Sequence, residues 1–519
     1  MPNPPSVAKR AERVFLAWAA FLILATASGH LHSPDDEVNY RTVRSLATGN
    51  GYAIPPYPED FGTETGRDGK EYPQYGPLQP LLAVPLYWLG KGLAPLIPER
   101  WLSFQEERLS RTVPFYRPFR GPGAEFEGLY PSDHRERVTR LVVSVFNPLV
   151  TWLTLWLLAV LGRFFFGERL ASLALPFTYL VATFAWPHSK GFFSEPLATL
   201  LLLAAFLQAG GIGFLARPGG LVLEASTVGV LGGLAFLARA DSAVACPGIA
   251  ILSLWRIATS QRSTGQKAAA ALGGVLAFAF VASFQLILNR LRFGSFFHSA
   301  YSDQPEGIQF DVPLIHALRI YLLSAGKGIF WYSPPLIAAL AAWPLFIKKD
   351  RVTALSALVV VCGYLFIIGR WQNLGGWCWG PRHLFQVTAF LLLPLPHLFV
   401  EGAKRSTWGL YGVTLVWGIA VQVCGVLVDF MWPLAQTLSG LPPGEDTRLV
   451  LSLSHYGPLL HLWAWRLDPD PDWFLADLWR SGAWSARLVP LLAWGALIAL
   501  SVALLRILRE HLSRQSADD

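Results

Sequence analysis

The chain has 519 residues, of which 53% are hydrophobic and only 15% are charged, and its formal net charge is +7. A soluble surface needs about a quarter of its residues charged, so this composition excludes a soluble enzyme, a nucleic-acid-binding module and a secreted disulfide scaffold. About a dozen apolar runs are long enough for a helix to cross roughly 30 Å of hydrocarbon. The sequence therefore predicts an all-α, polytopic integral membrane protein.

The predicted spans follow one another along the chain, with one long polar interruption. The first runs from Val14 to about Leu31, and the basic residues before it predict a cytoplasmic N-terminus. Residues 32–137 are polar, and the proline-containing apolar stretch Leu78–Leu96 inside them predicts an interfacial or re-entrant helix. Further spans, about 12 with the first, are predicted at 138–162, 170–187, 195–216, 220–238, 242–257, 268–289, 330–347, 353–369, 384–400, 408–431 and 487–508.

The basic residues between the spans predict the topology. They share one side of the membrane only if residues 220–257 cross twice, as a hairpin with its tip at Arg239-Ala240-Asp241. Functional residues are expected on the opposite, extracytoplasmic face, because its loops are the longer and more unusual ones. Two units are predicted: a transmembrane catalytic module over 1–431, with its first extracytoplasmic loop at 32–137, and residues 432–519 with the last extracytoplasmic loop and final span.

The first polar motif follows the first predicted span. Ser33 or Asp35 can cap a helix that begins near Asp36, and Asp36 and Tyr40 then share one of its faces. Glu37 lies on another face. Acids in the first turn also suit the helix dipole, so a purely structural helix is the alternative. A carboxylate held where a span leaves the membrane is a candidate general base.

A second polar motif occupies residues 186–196. Glu195 begins an otherwise apolar span after Ser194, which is its predicted cap. A structural role is again the alternative, because an acid at this position suits the helix dipole. His188 and Lys190 lie a few residues earlier. A carboxylate beside two basic side chains suits the recognition of a lipid-linked phosphate together with a hydroxyl group.

Glycine, aromatic and basic residues gather in two later polar loops, 290–329 and 370–383, and the motif in the first loop continues to Pro335 at the start of the next predicted span. The second of these carries Trp377 and Trp379 and ends with Arg382 and His383 at the start of a span, where a helix N-terminus favours an anion. A single interfacial Trp or Tyr usually belongs to the aromatic belt of a membrane protein. Together with glycine, arginine and histidine, these rings could form a platform for a sugar or a prenyl chain.

The order of these motifs resembles the C-type membrane glycosyltransferases, the GT-C superfamily. The resemblance covers most of the chain and is to the branch with the protein O-mannosyltransferases, the aminoarabinose transferase of lipid A and bacterial relatives of glycosyltransferase family 39. Asp36-Glu37-x-x-Tyr40 is similar to the family's Asp-Glu signature, and Ser194-Glu195-Pro196-Leu197 to the acid that begins a later span.

Other segments extend the resemblance. Those similar to bacterial members are Arg292–Ser295, Tyr332-Ser333-Pro334 and Trp377–Arg382. The segment Tyr72–Leu78 resembles a Pro-Leu segment of the first loop, in which relatives often have Lys where this chain has Gln74. A phosphate contact at that position is therefore in doubt.

The resemblance implies a GT-C fold and an inverting glycosyltransferase in a bacterial inner membrane, with its active site on the extracytoplasmic face. The implied donor is a polyprenyl-phosphate-linked sugar, and the implied acceptor is a hydroxyl of an envelope lipid, glycan or protein. Asp36 is expected to be the general base. The other expected site residues are, for catalysis, Glu37 and Glu195; for the donor phosphate, Arg382, His383, Lys190, His188 and Arg239; and for substrate, Tyr40, Tyr75, Tyr332, Trp377 and Trp379.

Membrane lipids are the other expected partners, and no cofactor is expected to be required. A divalent cation could bind through Asp36 and Glu195, although their spacing does not demand one. Three alternatives remain open. A flippase or transporter of lipid-linked sugars would place ionisable residues at mid-membrane and show inverted repeats. An O-antigen polymerase or ligase would carry its key residues in a large late loop, and a non-catalytic protein of the same fold would have a decayed site.

Overall fold

A computed structural model of the chain describes residues 7–55, 62–105, 133–167, 170–212, 220–301, 310–376, 378–399, 405–430, 457–467, 470–482 and 484–518. Helices dominate these ranges, which confirms the all-α prediction. A short antiparallel hairpin pairs strands Thr63–Thr65 and Glu71–Pro73. The α-helices, in chain order, are Val7–Ala25, Pro34–Ala47, Leu78–Leu93, His134–Val143, Phe146–Phe166, Ala174–Ala182, Ala185–His188, Glu195–Ala209, Leu221–Ala238, Cys246–Thr259, Thr264–Phe293, Leu314–Leu318, Ile329–Tyr332, Pro335–Lys349, Arg351–Phe366, Phe385–Leu392, Arg405–Leu427, Gly457–Leu467, Phe474–Arg480 and Trp484–Asp518.

Several helical segments are suited to crossing a membrane, and the chain is a multi-pass membrane protein. Within the described ranges, 7 are long and apolar enough by length and composition: His134–Phe166, Leu221–Ala238, Ala240–Thr259, Thr264–Phe293, Arg351–Arg370, Ser406–Leu427 and Trp484–Glu510. Only 6% of the apolar window is buried in Thr264–Phe293 and in Trp484–Glu510, so these two helices lie at the lipid-facing periphery. The count of about 12 spans and the sidedness stay predictions.

The predicted hairpin at 220–257 is present as two helices. The first ends at Ala238, and Arg239 has an extended backbone with φ −153° and ψ 124°. A short 3₁₀ turn, Ala240–Ala245, then leads into the next helix. Arg239 and Asp241 therefore lie at a break between two apolar helices, as the sequence pattern predicts.

The first helix begins and ends earlier than the apolar run alone predicts. It covers Val7–Ala25, so it includes the basic residues that precede the apolar run. The helix ends at Ala25, and Gly29, four residues later, has a φ of 71°, a left-handed conformation that glycine adopts without strain. The residues from here to Ser33 are therefore not part of the span but lead directly into the helix Pro34–Ala47.

The described part of the first polar loop packs onto the membrane helices through its own helices. Leu78–Leu93 is helical, as predicted, and buries Ala83 and Tyr87 in one hydrophobic cluster with Tyr40 and Val43. Val150 and Leu197 of two other apolar helices belong to the same cluster. This packing fixes the helix that carries the acidic motif against the helices that carry the second motif.

Gly76 marks the closest approach between this loop and the hairpin break. A Cβ atom at Gly76 would lie 2.2 Å from the backbone oxygen of Leu237 and 2.6 Å from that of Ala238. These are backbone atoms, so the contact could be relieved only by moving the helix end that precedes Arg239. The absence of a side chain at Gly76 is thus needed for the two segments to meet.

We expect Gly76→Ala to destabilise the protein by about 1–3 kcal/mol, the usual cost of overpacking, and to lower its Tm in detergent. Gly92→Ala is the matched control, because a Cβ atom there would meet nothing within 4 Å and alanine favours helix. Thermal unfolding followed by tryptophan fluorescence compares the two variants. Equal Tm values for both would contradict the close approach.

Candidate active site

The acidic motif opens the helix Pro34–Ala47. Ser33 is the N-cap, and its side chain accepts a hydrogen bond from the backbone N–H of Asp36. Successive residues of an α-helix point about 100° apart. Because of this rotation, Asp35, Asp36 and Glu37 reach three different environments.

Asp35 points toward the loop that ends with Arg382. Its Oδ2 accepts a hydrogen bond of 2.5 Å from Arg382 Nη1. The two side chains keep 14% and 11% of their surface exposed, respectively. This ion pair joins residues that are 347 positions apart in the sequence, and it retains access to solvent-sized molecules.

Glu195 links this pair to the hairpin break. Its Oε1 accepts from Arg239 Nη1 at 2.7 Å and lies 3.2 Å from Arg382 Nε. Arg239 also binds Asp241, with contacts of 2.7 to 3.1 Å. Glu195 is 1% exposed, and its Oε2 has no hydrogen-bond partner among the described residues. We call Asp35, Glu195, Arg239, Asp241 and Arg382 the central cluster.

The central cluster unites three predicted site residues from separate segments: Glu195, Arg239 and Arg382. Asp35 and Asp241, which the sequence interpretation did not select, complete it. Asp35 was assigned only as a possible helix cap, and Asp241 only as part of the hairpin tip. The sequence signal for these two acids was their position: Asp35 lies next to Asp36, and Asp241 lies two residues after Arg239.

Two tyrosines border the central cluster. Tyr75, a predicted substrate contact, and Tyr301 both lie within electrostatic reach of Asp35 and Arg382. Burial raises the pKa of each phenol well above its ordinary value, so both remain neutral hydroxyl groups. The side chain of Tyr75 also interacts with that of Gln74.

The structure places Asp36, the predicted general base, outside the central cluster. The side chain is fully buried. Its two carboxylate oxygens accept hydrogen bonds from the backbone N–H groups of His32 at 3.0 Å and Phe192 at 2.9 Å. Burial raises the pKa of Asp36 to about 6. A carboxylate enclosed in this way fastens two loops together and is not open to an acceptor hydroxyl or, with Glu195, to a cation.

Glu37 and Tyr40, which are predicted catalytic and substrate-binding residues, also lie outside the central cluster. Glu37 accepts hydrogen bonds from Arg140 Nη2 at 2.9 Å and from Arg41 Nε at 2.8 Å. Burial acts to raise the pKa of Glu37, but the two guanidinium groups lower it to about 2. The guanidinium of Arg140 lies 4.4 Å from the centre of the Tyr40 ring. These contacts anchor the acidic helix to His134–Val143.

Three predicted phosphate ligands are not members of the central cluster, although the charge of Arg382 acts on two of them, His188 and His383. Lys190 is 4% exposed and donates its hydrogen bonds to Asp472 Oδ2 and the backbone oxygen of Val426. His188 contacts the backbone oxygen of Trp379 through Nε2 at 2.8 Å, and burial lowers its pKa to about 3. His383 is fully buried, and burial lowers its pKa well below the ordinary value. The lowered pKa values favour the neutral form of both imidazoles.

The predicted aromatic platform is mostly buried. The Tyr332 and Trp379 rings pack edge to face with centroids 5.2 Å apart, and both side chains are almost fully enclosed. His383 instead stacks on Trp371 at 4.6 Å. Trp377 lies outside the described residues. Tyr332 and Trp379 thus support the loop before Arg382 and do not line an open surface.

A buried lysine shapes the loop that presents Arg382. The Lys327 ammonium donates to the backbone oxygens of Gly376, Cys378 and Gly380 at 2.8, 2.9 and 3.0 Å. Gly376 has a φ of 64°, and a Cβ atom there would lie 3.0 Å from Arg382 Nη2. The loop backbone therefore encloses the Lys327 ammonium, and the missing side chain of Gly376 leaves space for the Arg382 guanidinium. The sequence pattern marked Lys327 only as part of a glycine-rich motif.

The ligand spacing of a metal site occurs, among the described residues, at His30, His32 and Asp472. This group lies outside the central cluster, in which both Asp35 and Glu195 contact Arg382. A cation held by these two acids would have to displace the guanidinium.

No protein-family model matches the sequence, and no curated protein matches it significantly. Solved structures do match the fold. The structure of ArnT from Cupriavidus metallidurans bound to undecaprenyl phosphate aligns with a TM-score of 0.51 and 14% identity, over 95% of this chain and 75% of that chain. The apo form of ArnT gives 0.49 and 13% over 89% and 74%, respectively. The apo oligosaccharyltransferase of Archaeoglobus fulgidus gives 0.43 and 12% over 86% of this chain and 60% of that chain. The expected architecture is confirmed: this chain has the fold of ArnT.

Proposed function

We propose that this protein is a glycosyltransferase that moves a sugar from a polyprenyl phosphate to an acceptor hydroxyl, at the extracytoplasmic face of a bacterial inner membrane. The central cluster carries the proposal, because it brings two arginines and three acids together from four separate segments. The fold supports it, since ArnT of the same fold was solved with undecaprenyl phosphate bound. A lipid-linked phosphate is the anion that guanidinium groups beside a membrane suit best.

The resting ion pair between Asp35 and Arg382 suggests how the donor is received. A guanidinium binds phosphate with the same fork of N–H donors that it offers to a carboxylate. On this proposal the donor phosphate replaces Asp35 on Arg382, while Arg239 approaches the same phosphate. Asp35 then has a free carboxylate beside the anomeric carbon, so donor binding itself releases the base.

The transfer step follows from this arrangement. Asp35 accepts the proton of the acceptor hydroxyl as the acceptor oxygen forms its bond to the anomeric carbon. The bond from that carbon to the phosphate oxygen breaks, and the polyprenyl phosphate leaves with the electron pair. Arg382 and Arg239 stabilise the charge that develops on the leaving phosphate. Attack from the face opposite the phosphate inverts the anomeric configuration.

Glu195, Tyr75 and Tyr301 have supporting roles in the proposal. Oε1 of Glu195 fixes the directions of Arg239 and Arg382, while its unpartnered Oε2 can accept a hydrogen bond from a sugar hydroxyl. The neutral phenols of Tyr75 and Tyr301 can donate to sugar oxygens. The sugar, and the choice of lipid, glycan or protein as acceptor, are open to experiment.

The direct test uses purified protein in proteoliposomes with radiolabelled undecaprenyl-phosphate sugars and lipid or glycan extracts of a bacterial envelope. We expect labelled sugar to appear on an acceptor, with release of undecaprenyl phosphate that depends on that acceptor. Nuclear magnetic resonance of the product should show an inverted anomeric centre. Movement of intact donor between leaflets without cleavage would identify a flippase instead and would contradict the proposal.

A further inference from the structure

A second buried group of charges joins segments that are far apart in the sequence. The Asp472 carboxylate accepts from His30 Nε2 through Oδ1 and from Lys190 Nζ through Oδ2, both at 2.7 Å. All three side chains are at most 3% exposed. Removing one partner of such a group leaves another charge desolvated and unpaired, which is strongly destabilising. The contacts therefore hold their three segments in one arrangement.

The hydrogen bonds of His30 show that it is charged. Its Nδ1 lies 3.1 Å from the backbone oxygen of Leu31, and its Nε2 faces Asp472. Both oxygens can only accept, so His30 donates from both nitrogens and is an imidazolium. Burial alone would lower the pKa of His30, but the Asp472 carboxylate raises it above the ordinary value.

His30, His32 and Asp472 have the spacing of a metal site, and the charges around them argue against that use. The Lys190 ammonium beside Asp472 Oδ2 would repel a divalent cation. Asp429 lies 3.2 Å from His32 Nδ1 and supplies a second carboxylate. With His30 and Lys190 positive and Asp429 and Asp472 negative, these four groups already cancel, and a divalent ion would add uncompensated buried charge.

The charged group and Asp36 fasten the same two segments at neighbouring points. Asp472 holds His30 and Lys190 by their side chains, whereas Asp36 holds the N–H groups of His32 and Phe192. His32 follows His30 by two residues, and Phe192 follows Lys190 by two. Segments 30–32 and 190–192 are thus joined twice, once through Asp472 and once through Asp36. We call this closed set of contacts the ring.

One side of the ring is fixed to the membrane helices. Asn147 Nδ2 donates to the backbone oxygens of Gly191 at 2.7 Å and Phe193 at 2.9 Å. Gln79 Nε2 donates to the backbone oxygen of Phe192 at 2.7 Å. Segment 190–193 therefore has its own supports. In segment 30–32, the His30 side chain is held by Asp472 and that of His32 by Asp429 and Ser28.

We propose that Asp472 is a positioning residue for the central cluster: it fixes segment 30–32, and with it the start of the helix Pro34–Ala47, so that Asp35 meets Arg382. The inference rests on the proposed function of the central cluster. Segment 470–473 is tied in by its backbone as well, since Asp472 N–H donates to Leu427 and Phe474 N–H to Ala27, each at 2.8 Å. On this proposal, residues 470–473 of the last predicted loop help to position the site.

The test compares Asp472→Asn with Asp477→Asn, which changes another buried aspartate, five residues later, whose partner is Arg480. We expect Asp472→Asn to lower kcat by about 10- to 100-fold, as a misplacement near 1 Å can, while the KM for donor stays close to that of the wild type. Hydrogen exchange should rise in peptides covering 28–36 and 189–193. Asp477→Asn should change neither kcat nor exchange in those peptides.

Several outcomes would overturn the inference. Wild-type kcat and exchange in Asp472→Asn would remove the positioning role. A stoichiometric metal ion, found by elemental analysis of the purified protein and lost in His30→Gln, would show that a cation and not a proton joins the group. If wild-type protein transfers no sugar, the proposed function fails, but the exchange comparison still decides whether the ring holds segment 30–32.

A double variant tests the inference in case Asp472→Asn does not fold. If Asp472→Asn is not recovered from membranes, D472N/K190M removes both opposite charges and keeps the aliphatic stem of the side chain. We expect this double variant to fold, with raised exchange at 28–36. Exchange equal to the wild type would overturn the inference.

Discussion

Replacing Asp35 with Asn is expected to lower the kcat of sugar transfer by about 10²- to 10⁴-fold, the usual contribution of a general base. Asparagine keeps the size of the side chain but cannot take the acceptor proton. Donor should still bind, because Arg382 and Arg239 are retained. Single-turnover transfer of labelled sugar, together with donor binding measured separately, gives both quantities.

Asp36→Asn is the matched comparison for Asp35→Asn. An amide at position 36 can accept from only one of the N–H groups of His32 and Phe192, and its own N–H₂ then faces the other. We expect a loss of about 1–3 kcal/mol of stability, seen as a lower Tm or yield, with transfer per folded molecule less affected than in Asp35→Asn. A fully folded but inactive Asp36→Asn protein, beside an active Asp35→Asn protein, would return the base to Asp36.

Arg382→Gln is expected to reduce kcat/KM for the donor by about 10²- to 10³-fold, because it removes a preorganised charge from the leaving phosphate. Arg382→Lys should recover only part of this loss, since a lysine ammonium lacks the planar fork that binds phosphate through two N–H groups. Arg290→Gln, at an exposed position near the end of the helix Thr264–Phe293, is the control and should keep wild-type kinetics.

Two results would contradict the prediction for Arg382. Donor saturation curves that coincide for Arg382→Gln and the wild type would show that the phosphate binds elsewhere. A loss in Arg382→Gln that is fully restored in Asp35→Asn/Arg382→Gln would show instead that the arginine only neutralises the acid. Initial rates over a range of donor concentrations distinguish these results.

Sequence reasoning located helices well where a long apolar run had clear ends. The predicted span 220–238 corresponds to the helix Leu221–Ala238, because the polar Arg239 follows it directly. The first helix was placed too late, since its start depends on basic residues that are compatible with helix but not apolar. Such boundaries depend on local backbone conformation, which apolarity does not report.

The candidate site was predictable in its chemistry but not in its geometry. Glu195, Arg239 and Arg382 were identified because charge is costly beside a membrane and therefore marks function. The choice between Asp35 and Asp36 depended on where the helix begins after Ser33. A shift of one residue rotates a side chain by about 100° and gives it different neighbours. The Lys190–Asp472 pair joins positions 282 residues apart, and no local pattern encodes such a contact.

The three acids that open the helix Pro34–Ala47 have a practical consequence for genetics. One faces a guanidinium in a partly open site, the next is enclosed by backbone N–H groups, and the third anchors a neighbouring helix. A complementation screen that scores only growth would report all three as indispensable and would suggest a single catalytic triplet. Only protein abundance measured alongside turnover in the same cells would separate a lost reaction from a lost scaffold.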